Sequence, residues 1–258
     1  MNTVRFRFRK TLCVSAILVL AGCAPHGIRP VHEISPAVLF SGLQEQSRRL
    51  QTFQGFSEVT VSSEDGTYVG YIQIAARDPD TLWMKAEATL GMDILTLRLS
   101  GREALCYSPW LNMAVSGRLD AIKRLPPVQQ TGVSFLFEGR FGFPLPPESL
   151  LDTLVRMETD GRNYSLHFGT GDRIWISPEG PCVTRWERWD PEEKMLWSWQ
   201  GERFKRFGAV RLPRVVRIST LDPARQVTLV FRKIKANARL KEGWADLPIP
   251  EGVQTIEF

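Results

Sequence analysis

Residues 81–99, TLWMKAEATLGMDILTLRL, decide the fold. They read as two β-strands joined by a short loop with an apolar tip. On the first strand Leu82, Met84, Ala86 and Ala88 share a face, opposite Trp83, Lys85 and Glu87. On the second, Leu95, Leu97 and Leu99 share a face, opposite Ile94, Thr96 and Arg98. Side chains alternate across a strand with period two, so each strand carries one apolar and one mixed face. The connection, Thr89-Leu90-Gly91-Met92-Asp93, has the length of a surface loop, where polar residues are the rule. Leu90 and Met92 therefore either tuck back under the sheet or serve a purpose in being exposed.

Similar hairpins flank this one. Residues 53–62 alternate through Val59 and Val61, and Ser63-Glu64-Asp65-Gly66 supplies an Asp-Gly turn. Residues 67–76 follow, with Tyr68, Ile72 and Ile74 on one face, and Asp78-Pro79-Asp80 turns into the 81–99 hairpin. Ser100-Gly101-Arg102 turns into residues 104–107, and Pro109-Trp110-Leu111-Asn112 leads to residues 113–116. Local connections of this kind make an up-and-down antiparallel sheet, not a parallel α/β sheet. Upstream, Ser35 followed by Pro36 is the expected start of a helix. That helix carries Leu39, Leu43 and Leu50 on one side and needs a sheet to cover.

After residue 118 the strands pause. Residues 119–125 read as a short helix stopped by Pro126-Pro127, and Phe135, Phe137, Phe141 and Phe143 crowd an irregular stretch. Pro144-Leu145-Pro146-Pro147 is a stiff loop. Residues 148–155 read as a second amphipathic helix, placed to act as a plug or lid. Strands resume at 164–168, 173–176, 182–189, 195–204, 211–220 and 227–234, and a loop-rich tail from 236 closes the edge. The expected class is mostly β (α+β), built on a single antiparallel sheet, with one domain at 34–258.

The formal charge of +5 is concentrated at the start: Arg5, Arg7, Arg9 and Lys10 precede any acid, and without them the net charge is +1. A nearly neutral chain gives no reason to expect nucleic-acid binding. The basic segment is followed by the apolar run TLCVSAILVL, half the roughly 20 residues that span a bilayer. Leu20-Ala21-Gly22-Cys23 then resembles a bacterial lipobox. The expectation is a signal peptide at 1–22, lipidation of Cys23, and a tether at 23–33. Acyl chains contribute about 0.8 kcal/mol per buried CH₂, so a triacylated Cys23 is a permanent anchor. An ordinary signal peptide or a short membrane anchor is the alternative. Ala24, rather than aspartate, favours the outer membrane under the enterobacterial sorting rule. Cys106 and Cys182 remain. An oxidising periplasm permits a disulfide between them, but spacing alone cannot place their Cα atoms within reach, so free buried thiols are the expected state.

No enzyme is expected. His26, His32 and His167 have no metal-ligand spacing, and no G-x-S-x-G elbow occurs. Gly169-Thr170-Gly171 lies between two strands and reads as a turn. Glu192-Glu193, Glu148 and Asp152 read as solvated acids. No metal and no cofactor is called for. Trp175, Trp186, Trp189, Trp197 and Trp199 are either sheet packing or the lining of a hydrophobic cavity. Arg203, Lys205, Arg206, Arg211, Arg214 and Arg217 are either a solvated strand face or a patch for anionic head groups.

The order of elements resembles the LolA/LolB superfamily: a lipobox, an N-terminal helix, antiparallel strands, a helical insertion after a proline-rich loop, and further strands. The local matches are Leu90-Gly91 and the segment Phe141-Gly142-Phe143-Pro144-Leu145-Pro146-Pro147-Glu148-Ser149-Leu150, which is similar to a segment of LolB-like outer-membrane lipoproteins. The resemblance implies an incomplete, curved half-barrel, with helices packed in its concave mouth as a lid over a cavity for acyl chains. It also implies that Leu90 contacts the membrane, and that a periplasmic LolA-like carrier is a partner. The chain departs from LolB in its longer second half and its Trp-rich strands.

The residues themselves point the same way. An open sheet must bury its apolar face, and with few helices available part of that face is left to a ligand. By parity the candidates are Val59, Val61, Ile72, Ile74, Leu82, Met84, Leu95, Leu97 and Leu99, with Leu150, Leu151 and Leu154 from the lid. The functional expectation is a lipoprotein on the periplasmic face of the outer membrane that binds acyl chains and takes part in lipoprotein or lipid delivery. The alternative is an anchored interaction module of an envelope assembly on the same scaffold.

Overall fold

The structure is a computed structural model that describes residues 34–77, 81–119, 143–221 and 224–258. Cys23 and the expected tether, the 119–125 helix beyond its first residue, and Phe135, Phe137 and Phe141 lie outside the described residues. Ile34–Phe258 forms one compact unit.

Helix α1, Pro36–Arg49, begins where Ser35 and Pro36 place it. The Ser35 side chain accepts from the Val38 amide, and Pro36 has no N–H to leave unpaired. Arg48 and Arg49 face the negative end of its dipole. Strands β1 (Thr52–Ser63), β2 (Gly66–Arg77), β3 (Thr81–Ala88), β4 (Asp93–Ser100), β5 (Glu103–Ser108) and β6 (Met113–Arg118) follow as the expected meander. After a short 3₁₀ helix, Glu148–Thr153, come β7 (Leu154–Thr159), β8 (Tyr164–Phe168), β9 (Asp172–Ser177), β10 (Cys182–Trp189) and β11 (Met195–Glu202). The hairpin β12 (Lys205–Phe207) and β13 (Val210–Leu212) leads to β14 (Val215–Leu221), β15 (Ala224–Ala236) and β16 (Gln254–Glu257).

Among the described residues fourteen strands make one unclosed sheet in the order β16-β6-β5-β4-β3-β2-β1-β15-β14-β11-β10-β9-β8-β7. The two halves of the chain meet where β1 pairs with β15, from Phe53 opposite Ala236 to Ser63 opposite Arg225. The apolar residues of neighbouring strands fall in register on one face. Ile74 is opposite Met84, Met84 opposite Leu97, and Leu82 opposite Leu99. On the same face Trp199 is opposite Ile218 and Trp186, and Leu166 is opposite Ile174. Helix α1 lies on this inner face and buries Leu39, Phe40 and Leu43. Its ring contact is Phe40 with Phe168, centroids 6.3 Å apart. Phe53 is fully buried between Phe143 and Phe231, at 5.3 and 5.8 Å in edge-on geometry. Such pairs add about 0.5–1.5 kcal/mol beyond the area they bury.

Three expectations need correction. Residues 148–155 are not an amphipathic helix: the 3₁₀ turn ends at Thr153, and Leu154 begins β7, which pairs with β8. A single short turn behind three prolines cannot extend when the next residues find a strand edge to join. The sheet is not wholly antiparallel, because β16 in the tail pairs parallel with β6. Residues 211–220 are not one strand, since Pro213 has no N–H to give a ladder and divides β13 from β14.

Candidate functional site

The residues expected to line a cavity share the inner face. Val59 is opposite Gly70, Val61 opposite Tyr68, and Leu95 opposite Ala86. Ile72, Ile74, Met84, Leu97 and Leu99 are buried, while Val59, Val61, Leu82 and Leu95 keep some exposure. Leu150 is buried, and Leu151 and Leu154 are half-buried.

Beneath α1, on the other half of the same face, lies a cavity of about 70 Å³. Leu43 and Leu50 come from the α1 side, Phe143 and Leu145 from the proline-rich loop, and Val183, Trp199, Phe204, Val210 and Leu212 from the strands. None of the twelve residues selected by strand parity and the lid lines it, but Trp199, one of the tryptophans read as packing or cavity lining, does. Two buried polar atoms of lining residues, Trp199 Nε1 and Gln46 Oε1, have no hydrogen-bond partner among the described residues. Leaving such a group unpaired costs about 1–3 kcal/mol. An apolar cavity with one free donor and one free acceptor suits a ligand with a polar end, or an ordered water. Cys182 also lines it, and burial pushes its thiol up to about 11. Burial does the same to Cys106. Both cysteines are free thiols. At these values neither is a thiolate near neutrality, so neither is an activated nucleophile.

Leu90 stands at the tip between β3 and β4 and is 86% exposed, with Met92 and Ile94 also exposed. The exposed alternative therefore holds at this loop. Gly91 makes its turn with φ of +76°. The loop between β5 and β6 is built alike, with Trp110 and Leu111 at 74% and 62%. Sequence reading passed over that pair as a turn. The signal was the same as at Leu90, two large apolar residues where a turn calls for polar ones.

The other tryptophans are largely structural. Trp186 and Trp189 take opposite faces, as their parity requires. Trp186 Nε1 donates to Asp172 at 2.7 Å, and Trp189 Nε1 to Glu187 at 2.9 Å. On the outer face Arg173 sits 4.3 Å over Trp189 and Arg185 4.9 Å over Trp175. The basic run, read as a solvated strand face or a patch for head groups, divides in two: Arg203, Lys205 and Arg206 are exposed, and the other three are engaged by the protein. Arg211 donates to Ser177 and the Glu179 carbonyl, Arg214 to the Phe231 carbonyl, and Arg217 to Glu202. Gly169-Thr170-Gly171 is the turn between β8 and β9, and a Cβ on Gly171 would strike the Trp189 carbonyl. His167 is held below its usual value by burial, with Arg156 and Arg173 adding to the effect. Among the described residues no cluster of three metal-ligating side chains occurs, and no helix is long and apolar enough to cross a membrane.

No family model matches the sequence, and no curated protein matches it. Solved structures do. One is described as an outer membrane lipoprotein-sorting protein domain, from Vibrio parahaemolyticus (10% identity, 79% of this chain and 94% of that one, TM-score 0.54). Another is a LolA superfamily protein from Nitrosomonas europaea (10% identity, 83% and 98%, TM-score 0.55). A third is a DUF1329 family protein from Desulfovibrio piger (8% identity, 81% and 96%, TM-score 0.57). At such identities the likeness is one of fold. The unclosed, mostly antiparallel sheet is thus a fold that this chain shares with those structures, a LolA superfamily protein among them.

Proposed function

We propose that this protein is a lipoprotein anchored through Cys23 on the periplasmic face of the outer membrane. It binds acyl chains on its inner face and takes part in lipoprotein or lipid delivery. Leu90 touches the bilayer, and a periplasmic LolA-like carrier is the partner that supplies cargo. The observation that carries this reading is the seat of α1: an amphipathic helix over an apolar sheet face, above a small cavity with an unpaired donor and acceptor. Ligand pockets run from about 300 to 1,000 Å³. A cavity of about 70 Å³ must therefore enlarge, and movement of α1 is the step that enlarges it.

A disulfide tests this. A Cβ on Gly42 would lie 3.0 Å from the Cβ of Pro181, so Gly42→Cys with Pro181→Cys can join α1 to the β9–β10 connection after a small adjustment. Cys106→Ser and Cys182→Ser keep the native thiols out of the reaction. Oxidised protein is expected to lose uptake of a fluorescent fatty acid by about tenfold or more, a difference of about 1.4 kcal/mol, and reduction to restore it. Uptake unaffected by oxidation removes α1 as the lid.

The small cavity also favours a second reading, a non-transporting interaction module with a filled core. That reading predicts no uptake in either redox state and a stable protein partner in solubilised membranes.

A further inference from the structure

The β3–β4 and β5–β6 loops turn at the same end of the sheet and are joined there. Thr96 of β4 is opposite Tyr107 of β5. Beyond that pair the Ser108 hydroxyl donates to the Ile94 carbonyl at 2.8 Å and accepts from the Leu111 amide at 3.4 Å. One side chain thus fixes the two tips relative to each other. Between them they expose Leu90, Met92, Ile94, Trp110 and Leu111. Single exposed apolar residues are ordinary, but five on two adjoined tips are not. The tips carry one ionisable group, Asp93, and Lys85 Nζ holds it at 2.7 Å.

We infer that Trp110 and Leu111 form a second bilayer contact, set beside the Leu90 loop so that both hairpin tips enter one lipid surface together. This rests on the proposed membrane role of Leu90 and extends it to a loop that reading did not include. A bilayer is the occupant because the apolar groups stand on projecting tips rather than in a groove. A fluid surface accepts such tips without a complementary shape. Tryptophan is also enriched at the head-group level of a bilayer, where its ring is apolar and its N–H stays wet. The chain enters the domain toward the same end: Phe40, in the first turns of α1, meets Phe168 where β8 turns into β9, while Arg49 at the far end is bonded to Asn237.

The test is flotation of a soluble chain beginning at Ala24, which lacks the acyl anchor, on vesicles of phosphatidylethanolamine and phosphatidylglycerol. Leu90→Glu and the pair Trp110→Ser/Leu111→Ser are each expected to weaken binding about tenfold or more, with circular dichroism unchanged. Trp110→Phe should bind nearly as well as the parent but lose quenching by lipids brominated in the acyl chain. If only Leu90→Glu weakens binding, the second contact is wrong and the Leu90 reading stands. If only the Trp110/Leu111 pair does, the second contact stands and the Leu90 reading falls. No vesicle binding by the parent chain, or binding unchanged in both variants, overturns the two together.

Discussion

Asp172 is the residue around which one end of the inner face is assembled. It is 1% exposed, yet its carboxylate is fully used. Trp186 Nε1 donates to it at 2.7 Å, Arg188 Nε and Nη2 at 3.1 and 3.0 Å, and the Thr170 hydroxyl at 2.8 Å. A buried carboxylate with this many donors is a structural node, since it leaves no lone pair for a substrate. Asp172→Ala would strand the Trp186 N–H and leave Arg188 without its partner. We expect a loss of about 1–3 kcal/mol by urea denaturation, because the Trp186 N–H loses its acceptor, while Arg188, 44% exposed, can turn to water. A loss below about 1 kcal/mol would mean that water replaces the carboxylate and the end is looser than it looks. Nothing in the sequence marks this residue. It sits in a plain run, Gly171-Asp172-Arg173, and its partners come from the next strand and the turn before it.

Elements were more legible than single residues. The β8 and β10 bounds agree with the alternation of their apolar residues, and α1 starts at its capping serine. Each depends on neighbours in sequence. The misread elements depend on distant ones: β7 exists because β8 offers an edge, and β16 because β6 does. The join between halves is of this kind too. Residues 53 and 236 are partners across the whole chain, and no local pattern announces it. That join has a clasp in Asn237, whose backbone is left-handed with φ of 56°. Its Oδ1 accepts from the Gln51 amide at 2.8 Å and its Nδ2 donates to the Arg49 carbonyl at 2.7 Å. It therefore binds the last turn of α1 to the start of β1 and the end of β15. Asn237→Ala should cost about 1–2 kcal/mol and speed amide exchange chiefly at the α1 end and β1 start. Asn237→Gly, which tolerates the backbone, should lose about half as much. Uniform faster exchange across the sheet would contradict a local clasp.

At the scale of the molecule, the apolar face was legible, and the cavity only at Trp199. Period-two alternation put the strand candidates, Val59 through Leu99, on one surface, because a strand's sidedness is fixed by its own sequence. Where that surface stays uncovered depends on how α1 and the proline-rich loop lie across it, which is a long-range result. The cavity therefore lies among Leu43, Phe143, Val183 and Trp199, away from the residues that parity selected. On our reading this face, with α1 displaced, holds an acyl chain. Native mass spectrometry of the chain from Ala24 onward, mixed with a diacylated lipopeptide, tests it most directly. A one-to-one adduct is expected on that reading, and Val183→Phe, which fills the cavity wall, is expected to diminish it. A folded protein that shows only its own mass at every lipopeptide concentration would contradict it and leave the interaction module as the better reading.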